Sequence, residues 1–249
     1  MIRKVFLTQR NERQGRIPAY LATDPLLYAA LIQLYRRGTI RVLEESPDGV
    51  FIQDTHGISY MLAASNPALA LSWLKKHSNE TIDLIMVIGE ENITCVQEAL
   101  GLSERMDVYQ AIYEADTPPD GGTQRLKIVP ATEADTEFVK NNYSTLDDEE
   151  LQQVIRNRQL YLGYEKDGTC VGFIGQHMEG SIGLLEILPA HRRKGYGAEL
   201  ESFMIGEMLR QGLIPYSQFK TDNHASRALQ EKLGMRIIDG NIAWLFSSD

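Results

Sequence analysis

The sequence predicts an α+β fold of mixed helices and strands, built as two successive copies of one arrangement. Short apolar runs alternate with amphipathic helical patterns along the chain. The segment ADTPPDGGTQ at 115–124 has two prolines, two adjacent glycines and no apolar periodicity, which is typical of a linker. On each side of it, two strands around an Asp-Gly turn precede a similar series of elements. We therefore expect domains at 1–116 and 125–249, joined by a linker at 117–124.

The elements of the first copy are predicted from apolar spacing and from capping residues. Asp24 precedes Pro25, which is at the favoured first position of a helix, and Gly38 ends the apolar stripe that follows. The predicted helices are Pro25–Arg37, Pro67–Lys76 and Ile93–Leu100. The predicted strands are Ile40–Glu44, Val50–Asp54, Ile58–Ala63, Ile82–Ile88 and Met106–Tyr113, with His56-Gly57 as one of the turns.

The second copy is predicted in the same way, with two additional helices at its start. Its predicted helices include Glu133–Tyr143, Asp147–Arg156 and His224–Leu233. Candidate N-caps are Thr132, then Thr145 or Asp147, then Asp222 or Asn223. The predicted strands are Leu126–Pro130, Leu160–Tyr164, Cys170–His177, 182–188 and Pro215–Thr221. A hairpin of Arg236–Ile238 and Ile242–Phe246 around Asp239-Gly240-Asn241 is expected to close the chain.

Composition restricts the class of protein and its partners. Hydrophobic residues make up 43% of the 249, which is ordinary for a soluble globular protein, and the net charge of -9 argues against general nucleic-acid binding. The two cysteines, Cys95 and Cys170, lack metal-ligand spacing and suit a reducing compartment. No apolar run is long enough to span a membrane. We expect a cytoplasmic monomer or homodimer, with no metal and no nucleic-acid or membrane partner.

A strand, a basic glycine turn and a helix follow one another between Ser181 and Arg210. Pro189 ends the strand because proline has no N–H for a ladder. The turn is Arg192-Arg193-Lys194-Gly195-Tyr196-Gly197, and helical apolar spacing follows it. The first amides of a helix lack intrahelical partners and attract anions, and glycine lets a phosphate approach them. The matching stretch of the first copy, 65–70, has neither glycine nor basic residue, so only the second copy is expected to bind phosphate.

The second copy resembles the GNAT superfamily of acyl-CoA N-acyltransferases over about 125–246. The family loop Q/R-x-x-G-x-G/A is matched by Arg192-x-x-Gly195-x-Gly197. The family patterns N-x-x-S/A and K-x-G are matched by Asn223-x-x-Ser226 and Lys232-x-Gly234, and the element order also agrees. The two-copy form resembles the glycine-N-acyltransferase-like branch. The resemblance implies tandem folds, each a mixed, twisted, mostly antiparallel sheet flanked by helices, with the first copy degenerate.

The resemblance also implies which residues would hold the acyl donor, acetyl-CoA. Backbone groups of Ile187 and Leu188 would pair with the pantetheine arm, between central strands that splay apart. The amides of 193–198 would hold the pyrophosphate, with Arg192 nearby. Asn223 would contact the cofactor or only cap its helix. The expected cofactor residues are Ile187, Leu188, Arg192, Arg193, Lys194, Gly195, Tyr196, Gly197, Ala198, Asn223 and Ser226.

Glu186 is the candidate catalytic base. It is a carboxylate in an apolar strand beside the loop, where it could take a proton from the attacking amine; a solvent-facing side chain is the alternative. Relatives commonly have a tyrosine that acts as the general acid where this chain has Gln230. A glutamine side chain cannot donate a proton in that role. Either coenzyme A leaves as a thiolate, or Tyr216 or His224 substitutes. Tyr216 fits a packing residue of its strand better than an acid, and His224 fits an exposed first-turn residue better.

Two functions follow from these residues. The first is an N-acyltransferase that moves an acetyl or short acyl group from acyl-CoA to a primary amine of a small molecule or amino acid. The second is a non-catalytic acyl-CoA-binding or sensing protein, suggested by Gln230. An enzyme would release free coenzyme A in the presence of some amine, whereas a sensor would bind the donor without turnover. A structural module would bind no cofactor at all.

Overall fold

The computed structural model describes residues 16–56, 59–122, 124–143, 146 and 148–247. The predicted turn residue Gly57, strand residue Ile58 and cap candidates Thr145 and Asp147 lie outside the described residues. The chain divides into two compact units. Unit 1 consists of the chain up to Ile112, Gln218–His224 and the chain from Ile237 onward. Unit 2 consists of Tyr113–Ser217 and Ala225–Arg236.

Helices and strands follow the predicted order along the chain. The strands are β1 (Ile40–Ser46), β2 (Gly49–Asp54), β3 (Tyr60–Ala64), β4 (Leu84–Ile88), β5 (Glu104–Ile112), β6 (Lys127–Pro130), β7 (Leu160–Tyr164), β8 (Cys170–Gln176), β9 (Ile182–Ile187), β10 (Tyr216–Lys220) and β11 (Arg236–Phe246). The helices are α1 (Ala29–Arg37), α2 (Pro67–Lys76), α3 (Glu90–Leu100), α4 (Thr136–Asn142), α5 (Asp148–Arg156), α6 (Tyr196–Arg210) and α7 (His224–Lys232).

Each unit packs helices against its own strands. In unit 1 the strands lie in the order β1-β2-β3-β4-β11-β5, and in unit 2 β9, β8, β7 and β6 are successive neighbours. The core of unit 1 includes Phe51, Leu62, Trp73 and Ile93, from strands and from both α2 and α3. The core of unit 2 includes Val154, Leu162, Phe173 and Leu184, from α5 and three strands.

The two series of elements repeat one topology. The order β1-β2-β3-α2-β4-α3-β5 corresponds to the order β7-β8-β9-α6-β10-α7-β11. In both series three antiparallel strands are followed by a strand that is parallel to the third. The predicted tandem arrangement of mixed, mostly antiparallel sheets is confirmed.

The two copies differ in how far their parallel strands pair. Between β3 and β4 the parallel register runs over four pairs, from Tyr60–Ile85 to Ala63–Ile88. Between β9 and β10 it consists of the single pair Ile182–Ser217. β9 nevertheless continues to Ile187 with β8 as its antiparallel partner. Among the described residues, the rest of β9 thus has no continued parallel register with β10. This agrees with the splayed central strands that the resemblance implies.

A bulge in β9 adds to this opening. The register of β9 with β8 shifts between Phe173 and Gly175, so that Leu184 and Leu185 face a single residue of β8. Leu184 has a left-handed φ of 50°. Bulges re-aim the side chains and backbone groups around them, and this one directly precedes Glu186.

The predicted terminal hairpin is wrong, because β11 is one continuous strand through 239–241. Asn241 adopts a left-handed φ of 47°, and its carbonyl accepts a hydrogen bond from the Gly89 amide at 2.8 Å. The next residues continue an antiparallel register with β4. Pairing of β11 with β4 thus holds residues typical of a turn in an extended strand. Helix α1 also begins four residues later than predicted, after a turn in which Asp24 accepts from the Leu27 amide.

Gly172→Ala is expected to destabilise the protein by more than about 2 kcal/mol, because it forces β8 and β9 apart. Gly172 has a φ of 153°, and a Cβ there would lie 2.1 Å from the carbonyl oxygen of Glu186. Gly168→Ala is the matched control: Gly168 also has a positive φ, of 89°, but nothing lies within 4 Å of its Cβ position. We expect the control to cost about 1 kcal/mol. Equal urea unfolding of the two variants would contradict this account.

Candidate functional site

The basic loop leads into the start of α6, where the first backbone amides have no side-chain cap. It leaves β9 through a 3₁₀ turn at Pro189–His191, and Arg193 and Gly195 then have left-handed φ values of 60° and 88°. Gly195 is the N-cap of α6, and no side chain caps the helix there. The amides of 196–198 therefore have no intrahelical partner, and the helix dipole favours an anion beside them. These residues fit a phosphate group.

The corresponding helix of the first copy satisfies its own terminus. The side chain of Asn66 caps α2 by accepting from the Leu69 amide at 3.0 Å. Pro67, the first residue of α2, has no N–H to offer. The terminus of α2 therefore has fewer free backbone N–H groups for an anion than the terminus of α6. The sequence predicts a difference of this kind between the two copies.

Glu186 and Arg192, the candidate base and the first residue of the loop motif, are in direct contact. Nη2 of Arg192 lies 2.8 Å from Oε1 of Glu186, and Nε of Arg192 donates to the carbonyl of Ile187 at 2.9 Å. The carboxylate is partly shielded, with 24% of its side chain exposed. The backbone of Leu188 is engaged as well, since its amide donates to Val171 and its carbonyl accepts from His191. Arg193 and Lys194 are exposed.

The alternative acids lie in different surroundings. Tyr216 is fully buried, and its hydroxyl donates to the carbonyl of Glu179 at 3.3 Å. His224 is exposed at the first position of α7. Asn223 is exposed just before that helix, and its backbone N–H donates to the Lys220 carbonyl at 2.9 Å. Ser226 is half-buried within α7.

A buried carboxyl that the sequence reading missed contacts Gln230. Glu201 on α6 is 1% exposed, Gln230 on α7 is 4% exposed, and the Gln230 amide donates to Oε1 of Glu201 at 2.7 Å. Burial raises the pKa of Glu201 to about 7, although the hydrogen bond from Gln230 acts in the opposite direction. Oε2 of Glu201 and Oε1 of Gln230 are buried without hydrogen-bond partners among the described residues. A proton on Glu201 would give this pair the donor that it lacks.

Two further surveys cover only the part of the chain that the structure describes. No group of three or more His, Cys, Asp or Glu side chains there could hold a metal ion. No helix there is long and apolar enough to cross a membrane.

The second copy thus combines an opened parallel pair with a glycine loop at an uncapped helix terminus. Residues 128–235 match the model of the Acetyltransferase (GNAT) family. This part of the chain is a GNAT domain, and the resemblance drawn from the motifs is confirmed. A comparison with curated proteins finds no matching sequence.

Solved structures share the fold over most of the chain. A Drosophila protein is 15% identical with a TM-score of 0.66, and the match covers 91% of this chain and 93% of that one. A GCN5-related N-acetyltransferase from Sphaerobacter thermophilus is 14% identical, with 93% of each chain covered and a TM-score of 0.51. A putative GNAT-family acetyltransferase from Novosphingobium aromaticivorans is 18% identical over 80% of this chain and 89% of that one, with a TM-score of 0.52. At these identities the likeness establishes the fold.

Glu201→Gln is expected to stabilise the protein at pH 8, by a margin that shrinks as the pH falls toward 4.5. The folded-state pKa of Glu201 is raised from 4.5 to about 7, so the folded state holds the proton more tightly and stability falls as pH rises between these values. The shift corresponds to about 3 kcal/mol. Glutamine keeps the shape and supplies an N–H donor toward Gln230. Urea unfolding at several pH values between 5 and 8 measures the difference.

Glu231→Gln is the control for this experiment. Glu231 follows Gln230 on α7, is exposed and pairs with Arg227 at 3.1 Å, so its replacement is expected to change stability by less than about 0.5 kcal/mol at every pH. If the wild type and Glu201→Gln showed parallel stability curves across this range, Glu201 would be an ordinary carboxylate.

Proposed function

We propose that the chain transfers an acetyl or short acyl group from acyl-CoA to a primary amine of a small molecule or amino acid. The contrast between the two copies carries this proposal. The second copy has one parallel pair, Ile182–Ser217, and an uncapped glycine terminus, whereas the first copy has four parallel pairs and a capped terminus. The GNAT family, to which residues 128–235 belong, uses acetyl-CoA as its co-substrate. We also place the activity in the cytoplasm, where Cys95 and Cys170, both free, stay reduced.

In this proposal the loop binds the donor through its backbone. The amides of 196–198 hold the pyrophosphate, and Arg193 and Lys194 add positive charge beside it. The pantetheine arm pairs with the end of β9 near Ile187. Arg192 now holds both Glu186 and the Ile187 carbonyl. A pyrophosphate would compete for Arg192, which would release both groups as the donor binds.

The released Glu186 then takes a proton from the attacking amine, directly or through a water molecule. A backbone amide of β9 near the bulge stabilises the oxyanion that develops on the thioester. The departing sulfur is protonated by Tyr216, or it leaves as a thiolate. Tyr216 has the disadvantage that it is fully buried and already donates to Glu179.

The alternative function, a non-catalytic acyl-CoA-binding or sensing protein, is favoured by one observation. Gln230 occupies the position where relatives have a tyrosine that acts as the general acid. Its side-chain amide donates a hydrogen bond to the buried carboxyl of Glu201. This pair fills the position without offering a tyrosine hydroxyl. In the sensor hypothesis the protein binds acyl-CoA at the same site but does not catalyse acyl transfer.

The release of free coenzyme A from acetyl-CoA, measured against a panel of primary amines, separates the two functions. We expect amine-dependent release, and we expect Glu186→Gln to lower kcat about 100-fold, because glutamine cannot accept the proton. The Kd for acetyl-CoA is not expected to rise, since the neutral side chain competes less for Arg192. Glu231→Gln, an exposed change of the same kind, is the control. Donor binding without turnover across the panel would support the sensor. Turnover that Glu186→Gln leaves intact would remove Glu186 from the mechanism.

A further inference from the structure

The end of the linker is bound to the cofactor loop. Nη2 of Arg125 donates to the carbonyl of Lys194 at 2.6 Å. The guanidinium carbon lies 4.5 Å from the centroid of the Tyr196 ring. Between these two residues, a Cβ on Gly195 would lie 3.3 Å from the same Nη2 atom. Arg125 therefore covers the turn through which the chain enters α6.

Arg125 is itself fixed by a buried carboxylate of α6. Glu199 lies in the first turn of the helix and is 6% exposed. Its Oε1 accepts from the amides of Arg125 and Leu126, each at 2.6 Å, and its Oε2 lies 3.7 Å from Nε of Arg125. A carboxylate in a first turn is also favoured by the helix dipole. One side chain thus joins the linker to the start of the helix.

The linker before Arg125 follows the same helix. The hydroxyl of Ser202 donates to the carbonyl of Pro119 at 2.5 Å. A Cβ on Gly121 would lie 2.7 Å from Cβ of Ser202, and a Cβ on Gly206 would lie 3.3 Å from Pro118. A segment whose composition predicts a flexible connection is therefore packed along α6.

The contact with Lys194 determines where the next amide points. A peptide unit is planar and trans, so its C=O and N–H point in opposite directions. When Arg125 holds the Lys194 carbonyl, the N–H of Gly195 is turned to the other side. Gly195, with its φ of 88°, has no side chain to restrict its own backbone, so the restriction must come from outside the loop.

We propose that Arg125 is a positioning residue for acyl-CoA, which holds the Lys194–Gly195 peptide so that the amides of the loop face the pyrophosphate. The inference rests on the proposed function and deepens it, since it assigns part of the donor affinity to the linker. Arg125 acts through the loop, and its effect is therefore specific for donors that carry a pyrophosphate.

The test compares two donors on the full-length protein. Arg125→Ala is expected to raise the Kd for acetyl-CoA about tenfold, because a charge-assisted hydrogen bond and a stacking contact no longer hold the loop. S-acetylpantetheine has no pyrophosphate, and ligand-detected NMR at millimolar concentration is expected to show equal binding to wild type and variant. Arg125→Lys is expected to fall between them, since it can donate to Lys194 but lacks the planar guanidinium. It also carries the test if Arg125→Ala does not fold.

Arg156→Ala is the matched control, because Arg156 is an exposed arginine of unit 2 that pairs with Glu133 at 3.8 Å. It is expected to leave the Kd for both donors unchanged. Wild-type affinity for acetyl-CoA in both Arg125 variants, or an equal loss for both donors, would overturn the role of Arg125 alone. Absence of acetyl-CoA binding by the wild type would overturn the proposed function and this inference together.

Discussion

The backbone at the start of α6 is the constraint on which the rest of the second copy depends. Every helix begins with amides that lack intrahelical partners, and a side chain, water or a ligand can satisfy them. α2 does so with Asn66, but α6 begins with Gly195, which has no side chain to use. The open amides at this terminus can bind an anion, and the contacts of Arg125 and Glu199 hold the loop beside them. In the proposed function that anion is the pyrophosphate.

The two copies of the duplicated arrangement differ in how far their parallel strands pair. Four parallel pairs join β3 to β4, whereas one pair joins β9 to β10. Among the described residues, the rest of β9 has no continued parallel register with β10, which leaves room for a ligand to pair there. The copies also share elements, since β11, the last strand of the second series, pairs with β4 of the first. The first copy thus uses the later chain to complete its sheet.

The sequence predicts what depends on local spacing and misses what depends on distant contacts. Helix α2 and strand β7 match their predicted bounds, and the loop motif identified the family, because these signals are local. The predicted turn at Asp239-Gly240-Asn241 is wrong, because pairing of β11 with β4 overrides the local preference for a turn. The Glu201–Gln230 and Arg125–Lys194 contacts join residues 29 and 69 positions apart, and no periodicity encodes them. An acidic residue at a buried position of α6 was the available signal for Glu201.

Calorimetric titration of acetyl-CoA into the wild type, Gly197→Ala and Gly197→Val tests most directly whether the second copy binds its donor through this loop. A Cβ on Gly197 would meet Ile187 and Leu229 at 3.8 Å, an ordinary contact, so alanine fits the fold. Valine adds two methyl groups beside the first-turn amides. We predict micromolar binding by the wild type, similar binding by Gly197→Ala and no detectable binding by a folded Gly197→Val. Wild-type affinity in Gly197→Val would contradict the account.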